Sequence, residues 1–193
     1  MSNSKTVLDE TPFQTAGPFL HIGCLPNAIN IEGIFDTDLG VKPFANKDYD
    51  KFITITGSVF DGDGKALDDI MLESWQSDEN GVYSPECGFA RFIPDSLTKK
   101  FNLYTLKPGF MNNIDGKAQS PHILLSISSR GLNMTLNTRI YFEGDDLTND
   151  HLLSNVKNSR NDVSSLVAKK IDEDIYLFDI FLQGDRETIF LDI

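Results

Sequence analysis

The stretch SPHILLSI, Ser120–Ile127, decides the fold class of this chain. Side chains of an extended segment alternate between two faces. His122, Leu124 and Ser126 therefore share one face, and Ile123, Leu125 and Ile127 make an aliphatic stripe on the other. That is the pattern of a strand with one side in a core. An extended His-x-His would aim two imidazoles from the polar side, the beginning of a metal site. Here Leu124 fills the second slot.

Segments of the same period recur on both sides. Phe52–Phe60 carries Ile53, Ile55 and Val59 on one face. Ile70–Gln76 carries Met71, Glu73 and Trp75 on one side, with GDGK at Gly62–Lys65 as the hairpin turn between the two. Further strands are predicted at Phe101–Leu106, His122–Ser128, Arg139–Phe142, Tyr176–Gln183 and Thr188–Leu191, with a turn at Asp172–Asp174. At most one short helix is expected, over Leu147–Val156, opening near Asp146 or Thr148 with Leu152, Leu153 and Val156 as its apolar stripe. Many short strands and frequent turns predict an all-β fold, a β-sandwich forming one domain over residues 25–193. Residues 1–24 are polar, then rich in Pro, Gly and Thr without either period. They read as an irregular arm whose order comes from what it lies against. Asn27–Asp50 reads as a long loop with turns.

At 193 residues the chain can bury roughly 70% of its unfolded surface in one core. A net charge of −12 and a pI near 4.5 argue against nucleic acid as a partner, because phosphate contacts need a basic face. Any anionic ligand must meet a locally placed cation. The N-terminal MSNSKTVLDETPF lacks the apolar run of a signal peptide, and no stretch is long enough to span a membrane, so a cytoplasmic protein is expected. Cys24 and Cys87 form no CxxC pair and read as reduced thiols.

Local motifs add little chemistry. Asp61-Gly-Asp63-Gly looks like the start of a calcium loop, yet Lys65 and Leu72 occupy the fifth and twelfth positions, where oxygen ligands belong. His21, His122 and His151 have no ligand spacing, and His122 reads as a satisfied, half-buried imidazole. Trp75 in ESWQ reads as core and Tyr83 in GVY as structural. No Ser-His-acid arrangement, nucleophile elbow or HExxH is present.

Taken in order, ETPFQTAGPFLHIG (Glu10–Gly23), the run Gly57–Tyr83, LYTLKPG (Leu103–Gly109), PHILLSISSRG (Pro121–Gly131), TRIYFEGD (Thr138–Asp145) and FLQGDRETIFLDI (Phe181–Ile193) resemble the intradiol ring-cleaving dioxygenase family over nearly the whole length. The likeness is to the α subunits of its two-subunit, protocatechuate-cleaving branch. In that family the catalytic subunit holds one ferric ion with two tyrosines and two histidines, hard phenolate oxygens suiting the metal. Carried over residue by residue, His122 matches the first histidine and Leu124 takes the place of the second. Met111, after KPGF, stands where the family has a ligand tyrosine. The segment expected to hold the other tyrosine is short, with Cys87, Phe89 and Phe92 but no Tyr. Gln119 replaces an arginine held to polarise the substrate. One ligand in four cannot hold a mononuclear iron. The resemblance therefore implies that this chain binds no metal or cofactor, the Fe(III) residing in a β-subunit partner.

Arg130 in SSRG has the parity of His122, yet eight residues at about 3.3 Å each put the two roughly 26 Å apart. From the residues alone it reads as a surface arginine ending a strand before Gly131. The resemblance implies instead that it faces the substrate carboxylate in a pocket on the β subunit. Thr15, Gly17 and Pro18 of QTAGPF match the family stretch reaching the same pocket; by themselves they read as a plain turn. The implied function is that of a subunit, inactive alone, completing the pocket in which its partner opens protocatechuate (3,4-dihydroxybenzoate) with O2 to 3-carboxy-cis,cis-muconate. A larger symmetric α/β oligomer is implied with it. The alternative is a stand-alone β-sandwich binding or scaffold module without activity.

Overall fold

Alternating burial turns these segments into strands. A computed structural model describes residues 15–44, 52–112, 115–159 and 162–192. In chain order they form α1 (Leu20–Cys24), β1 (Phe52–Gly57), β2 (Val59–Phe60), β3 (Ala66–Leu67), β4 (Ile70–Gln76), β5 (Phe89–Phe92), β6 (Phe101–Leu106), β7 (Met111–Asn112), β8 (Ala118–Gln119), β9 (Ile123–Ser129), β10 (Leu136–Phe142), α2 (His151–Ser159), β11 (Val167–Asp172), β12 (Ile175–Leu177) and β13 (Ile180–Phe181). Among the described residues, eight strands make one mixed sheet in the order β5-β4-β9-β10-β11-β12-β1-β6. Its β10–β11 and β12–β1 pairs run parallel. The sheet curls until its edges meet, with the Phe92 and Phe101 rings 5.6 Å apart.

The curl gives the aliphatic stripes one common interior. Ile53, Ile55 and Leu103 come from one side of it, and Ile70, Leu72, Ile123, Leu125, Ile127 and Ile140 from the other. Each fully buried side chain of this size contributes roughly 1.5–3 kcal/mol. A second cluster of Tyr141, Leu153, Leu166 and Ile189 forms where α2 lies over the sheet. Asp150 caps that helix: its Oδ1 accepts the Leu153 N–H at 2.9 Å, while its Oδ2 accepts the Ser120 N–H at 2.8 Å.

The all-β sandwich expected from the alternation is the fold observed, with several local differences. The GDGK turn leads into β3 rather than β4. Gly64 adopts φ +78°, and Asp61 Oδ1 accepts the Asp63 and Lys65 N–H groups. Thr188–Leu191 forms no ladder and is held by single bonds from Thr188 N–H to Phe181 O and Leu191 N–H to Asn137 O. The predicted Tyr176–Gln183 strand breaks at Phe178–Asp179, where Asp179 Oδ1 accepts the Ser58 N–H. The second α-helix among the described residues, α1, is a five-residue turn inside the arm and exceeds the one helix expected. Helix α2 opens at Asp150, not at Asp146 or Thr148; Asp146 instead accepts the Thr148 N–H in a tight turn. Residues 1–14 of the arm and 45–50 of the predicted loop lie outside the described residues.

Asp150→Ala should cost about 2–4 kcal/mol, the sum of a lost cap and a buried Ser120 N–H left unpaired. Urea denaturation of the variant against the unaltered chain checks this.

Candidate functional site

The face of the sheet opposite the core is organised in rows set by strand register. In one row Phe89 pairs with Trp75, Trp75 with Leu124, and Leu124 with Arg139. In the next, Arg91 pairs with Glu73, Glu73 with Ser126, and Ser126 with Asn137. Together the two rows, Arg91 excepted, floor a half-open cleft of about 390 Å³. Glu73 Oε1 is held by Arg91 Nε and Nη2 at 2.8 and 2.6 Å, and Ser126 Oγ donates to Asn137 Oδ1 at 2.7 Å. Trp75 is thus a cleft wall and not the core residue expected. Its alternation places it outward, stacked on Tyr83 with ring centroids 5.9 Å apart.

His122 lies one row further along, tilted against Tyr141 at 5.7 Å. It is buried, where a half-buried ring was expected. Its Nδ1–H donates to the Ser120 carbonyl at 2.8 Å. Burial, reinforced by the Arg139 charge and opposed by the Ser120 carbonyl and Asp150, lowers its pKa to about 4. The Tyr141 hydroxyl accepts from Arg139 Nη1 at 3.3 Å and donates to Asp150 Oδ1 at 3.4 Å. Burial pushes the Tyr141 phenol well above its ordinary range, and burial also raises Tyr83.

Met111 and Gln119 face one another as a cross-strand pair on the β7–β8 ribbon. The positions His122, Leu124, Met111 and Gln119 therefore offer one neutral imidazole, a thioether, an amide and an alkyl chain. That donor set does not fit a ferric ion, which needs anionic oxygens. The nearby phenols of Tyr83 and Tyr141 are held protonated, and a guanidinium sits opposite Leu124. Among the described residues, no three His, Cys, Asp or Glu side chains group to hold a metal ion.

Two of the other predicted residues, Thr15 and Arg130, meet at the far end of β9. Arg130 is mostly exposed and ion-paired through Nε to Asp69. The Thr15 hydroxyl accepts the Gly131 N–H at 2.7 Å and lies 3.5 Å from the Ser129 carbonyl. This ties the arm beside Arg130 across a sequence separation of 116 residues. Gly17 accepts the Leu20 N–H ahead of α1, and the space where its Cβ would stand is open. Pro18 is exposed in the same turn. The structure ties Thr15 to the strand end beside Arg130, whereas Arg139, to which the sequence gives no role, owes its partners to register across four strands.

With this geometry in view, the comparisons with known proteins agree. The model of a dioxygenase family, described as "Dioxygenase", matches residues 30–184. The protocatechuate 3,4-dioxygenase alpha chain of Pseudomonas putida is 36% identical, the match covering 96% of this chain and 98% of that one. The alpha chain of the same name from Burkholderia cepacia is 31% identical, covering 97% and 100%. Among solved structures, chlorocatechol 1,2-dioxygenase from Pseudomonas putida superposes with a TM-score of 0.58 at 20% identity, covering 77% of this chain and 67% of that one. The dioxygenase domain of a carbohydrate-binding fusion from Streptomyces sp. SirexAA-E gives 0.57 at 19%, covering 90% and 99%. These two likenesses concern the fold. The chain belongs to the intradiol dioxygenase family.

The buried His122 makes stability depend on pH. Its folded pKa of about 4 lies below the unfolded value of 6.5, so its contribution is complete above pH 6.5. Between pH 6.5 and 4 the unfolded chain binds a proton that the folded chain does not. Stability therefore falls with pH, by up to roughly 3 kcal/mol. Urea midpoints at pH 7 and pH 4.5 should differ less for His122→Gln than for the unaltered chain.

Proposed function

We propose that this chain is the non-iron-binding α subunit of a protocatechuate 3,4-dioxygenase. It completes the substrate pocket of an iron-bearing β subunit, which opens 3,4-dihydroxybenzoate with O2 to 3-carboxy-cis,cis-muconate. The observation that carries the reading is Arg130 and Thr15 held together at the end of β9, with the guanidinium exposed. An arginine anchored on one side by Asp69 presents its remaining donors outward, toward a surface this chain does not itself supply. The near-full-length similarity to two alpha chains of that name supports the assignment. The donor set around His122 supports placing the Fe(III) in the partner. The pair packs as related sandwiches, and such pairs assemble further into closed symmetric oligomers. No helix among the described residues is long and apolar enough to cross a membrane, and the cytoplasm is the proposed location.

A guanidinium–carboxylate contact in a partly closed pocket contributes about 1.5–3 kcal/mol. Arg130→Ala in the α/β complex should lower kcat/KM for protocatechuate by roughly 10- to 150-fold, with Tm nearly unchanged because the Asp69 pair is exposed. Unaltered kinetics would remove Arg130 from the pocket. Mass spectrometry of what co-purifies from the native host tests the assembly. A stoichiometric homologue carrying His-x-His and the KPG-x-Tyr tyrosine is expected, and elution of this chain alone would favour the binding-module reading.

A further inference from the structure

We propose that the cleft above the row Phe89–Trp75–Leu124–Arg139 is a second ligand site, taking a small aromatic acid with a single negative charge. This site is independent of the role given to Arg130, which lies six residues beyond Leu124 along β9, roughly 20 Å away.

The Arg139 side chain carries the argument. The residue is 8% exposed, and its Nε has no hydrogen-bond partner. Its Nη1 donates to the Tyr141 hydroxyl, and no carboxylate among the described residues comes within ion-pair distance. A buried guanidinium left this way is costly unless an anion completes it. The carboxylates in the neighbourhood are committed elsewhere. Glu73 shares the cleft but is clamped by Arg91. Asp150 is reached only through the Tyr141 hydroxyl and already holds the Ser120 and Leu153 N–H groups. Of the two charged residues lining the cleft, Glu73 is thus neutralised by Arg91 from outside it, and the Arg139 charge is left without a carboxylate partner among the described residues.

The rest of the row selects the body of the ligand. Trp75, Phe89 and Leu124 offer flat aromatic and alkyl surface beside the guanidinium, and the volume of about 390 Å³ lies in the small-molecule range of roughly 300–1,000 Å³. An aromatic ring over Trp75 with its carboxylate against the Arg139 guanidinium satisfies both features at once.

Trp75 is the chain's single tryptophan and a wall of the cleft, so its fluorescence reports occupancy directly. Titrating benzoate into the full chain should change that emission saturably. Benzamide, isosteric but neutral, and acetate, charged but without a ring, should each bind at least 10-fold more weakly. Arg139→Gln should weaken benzoate at least 10-fold, Leu124→Phe should exclude it by filling the floor, and Arg130→Ala should leave it unchanged. Equal binding of benzoate and benzamide, or no saturable response, would overturn the proposal, and that comparison needs no variant to fold. Loss of benzoate binding in Arg130→Ala would also overturn it, by assigning the signal to the Arg130 surface. Failure of benzoate to bind in the assembled complex while it binds the free chain would assign Arg139 to a partner side chain instead.

Discussion

Register between β4, β9 and β10 is the constraint on which the rest of the molecule depends. Those three strands supply both the centre of the core and the floor of the cleft, on opposite sides of the same backbone. A slip of one residue would put Ile123, Leu125 and Ile127 in solvent and drive Arg139 and Glu73 into the interior. Burial of the aliphatic stripe therefore fixes the register, and the register in turn fixes which outward residues meet. The row of Phe89, Trp75, Leu124 and Arg139 is a by-product of packing the core.

That dependence explains what could be read from the sequence. Strands that alternate throughout, β1 and β9, or over most of their length, β4 and β6, were legible because each has one face in the common interior. The segment VAKKID was not, since β11 lies inside the sheet yet leaves most of its side chains in water. Its strand state comes from hydrogen bonding to β10 and β12 and leaves no hydrophobic signature. Trp75 was read inward on the strength of its size, although the parity of its own strand already placed it with Glu73. Of the candidate site, the neighbourhood of Thr15 and Arg130 followed from the family resemblance, whereas Arg139 depends on pairing between segments distant in sequence.

The cleft and the surface around Arg130 divide the polar chemistry of the chain. Around His122, the polar groups are bonded to one another within the protein, with Arg139 Nε the exception. Ser120 takes Nδ1–H, Asp150 takes the helix N-terminus, and Tyr141 bridges Asp150 to Arg139. Such a closed network stiffens the region and leaves the imidazole neutral. Around Arg130 the opposite holds, with the guanidinium mostly exposed and one ion pair among the described residues.

The bond between the Thr15 hydroxyl and the Gly131 N–H changes what assembly would cost. A tail ordered only upon contact gives up conformational entropy at that moment, which subtracts from affinity. Here Thr15 is fastened to the strand end within the folded chain, so its share of that loss falls on folding and not on association. The proposed partner would meet a surface whose shape is already made, and contacts formed across it would count more fully toward holding two chains together.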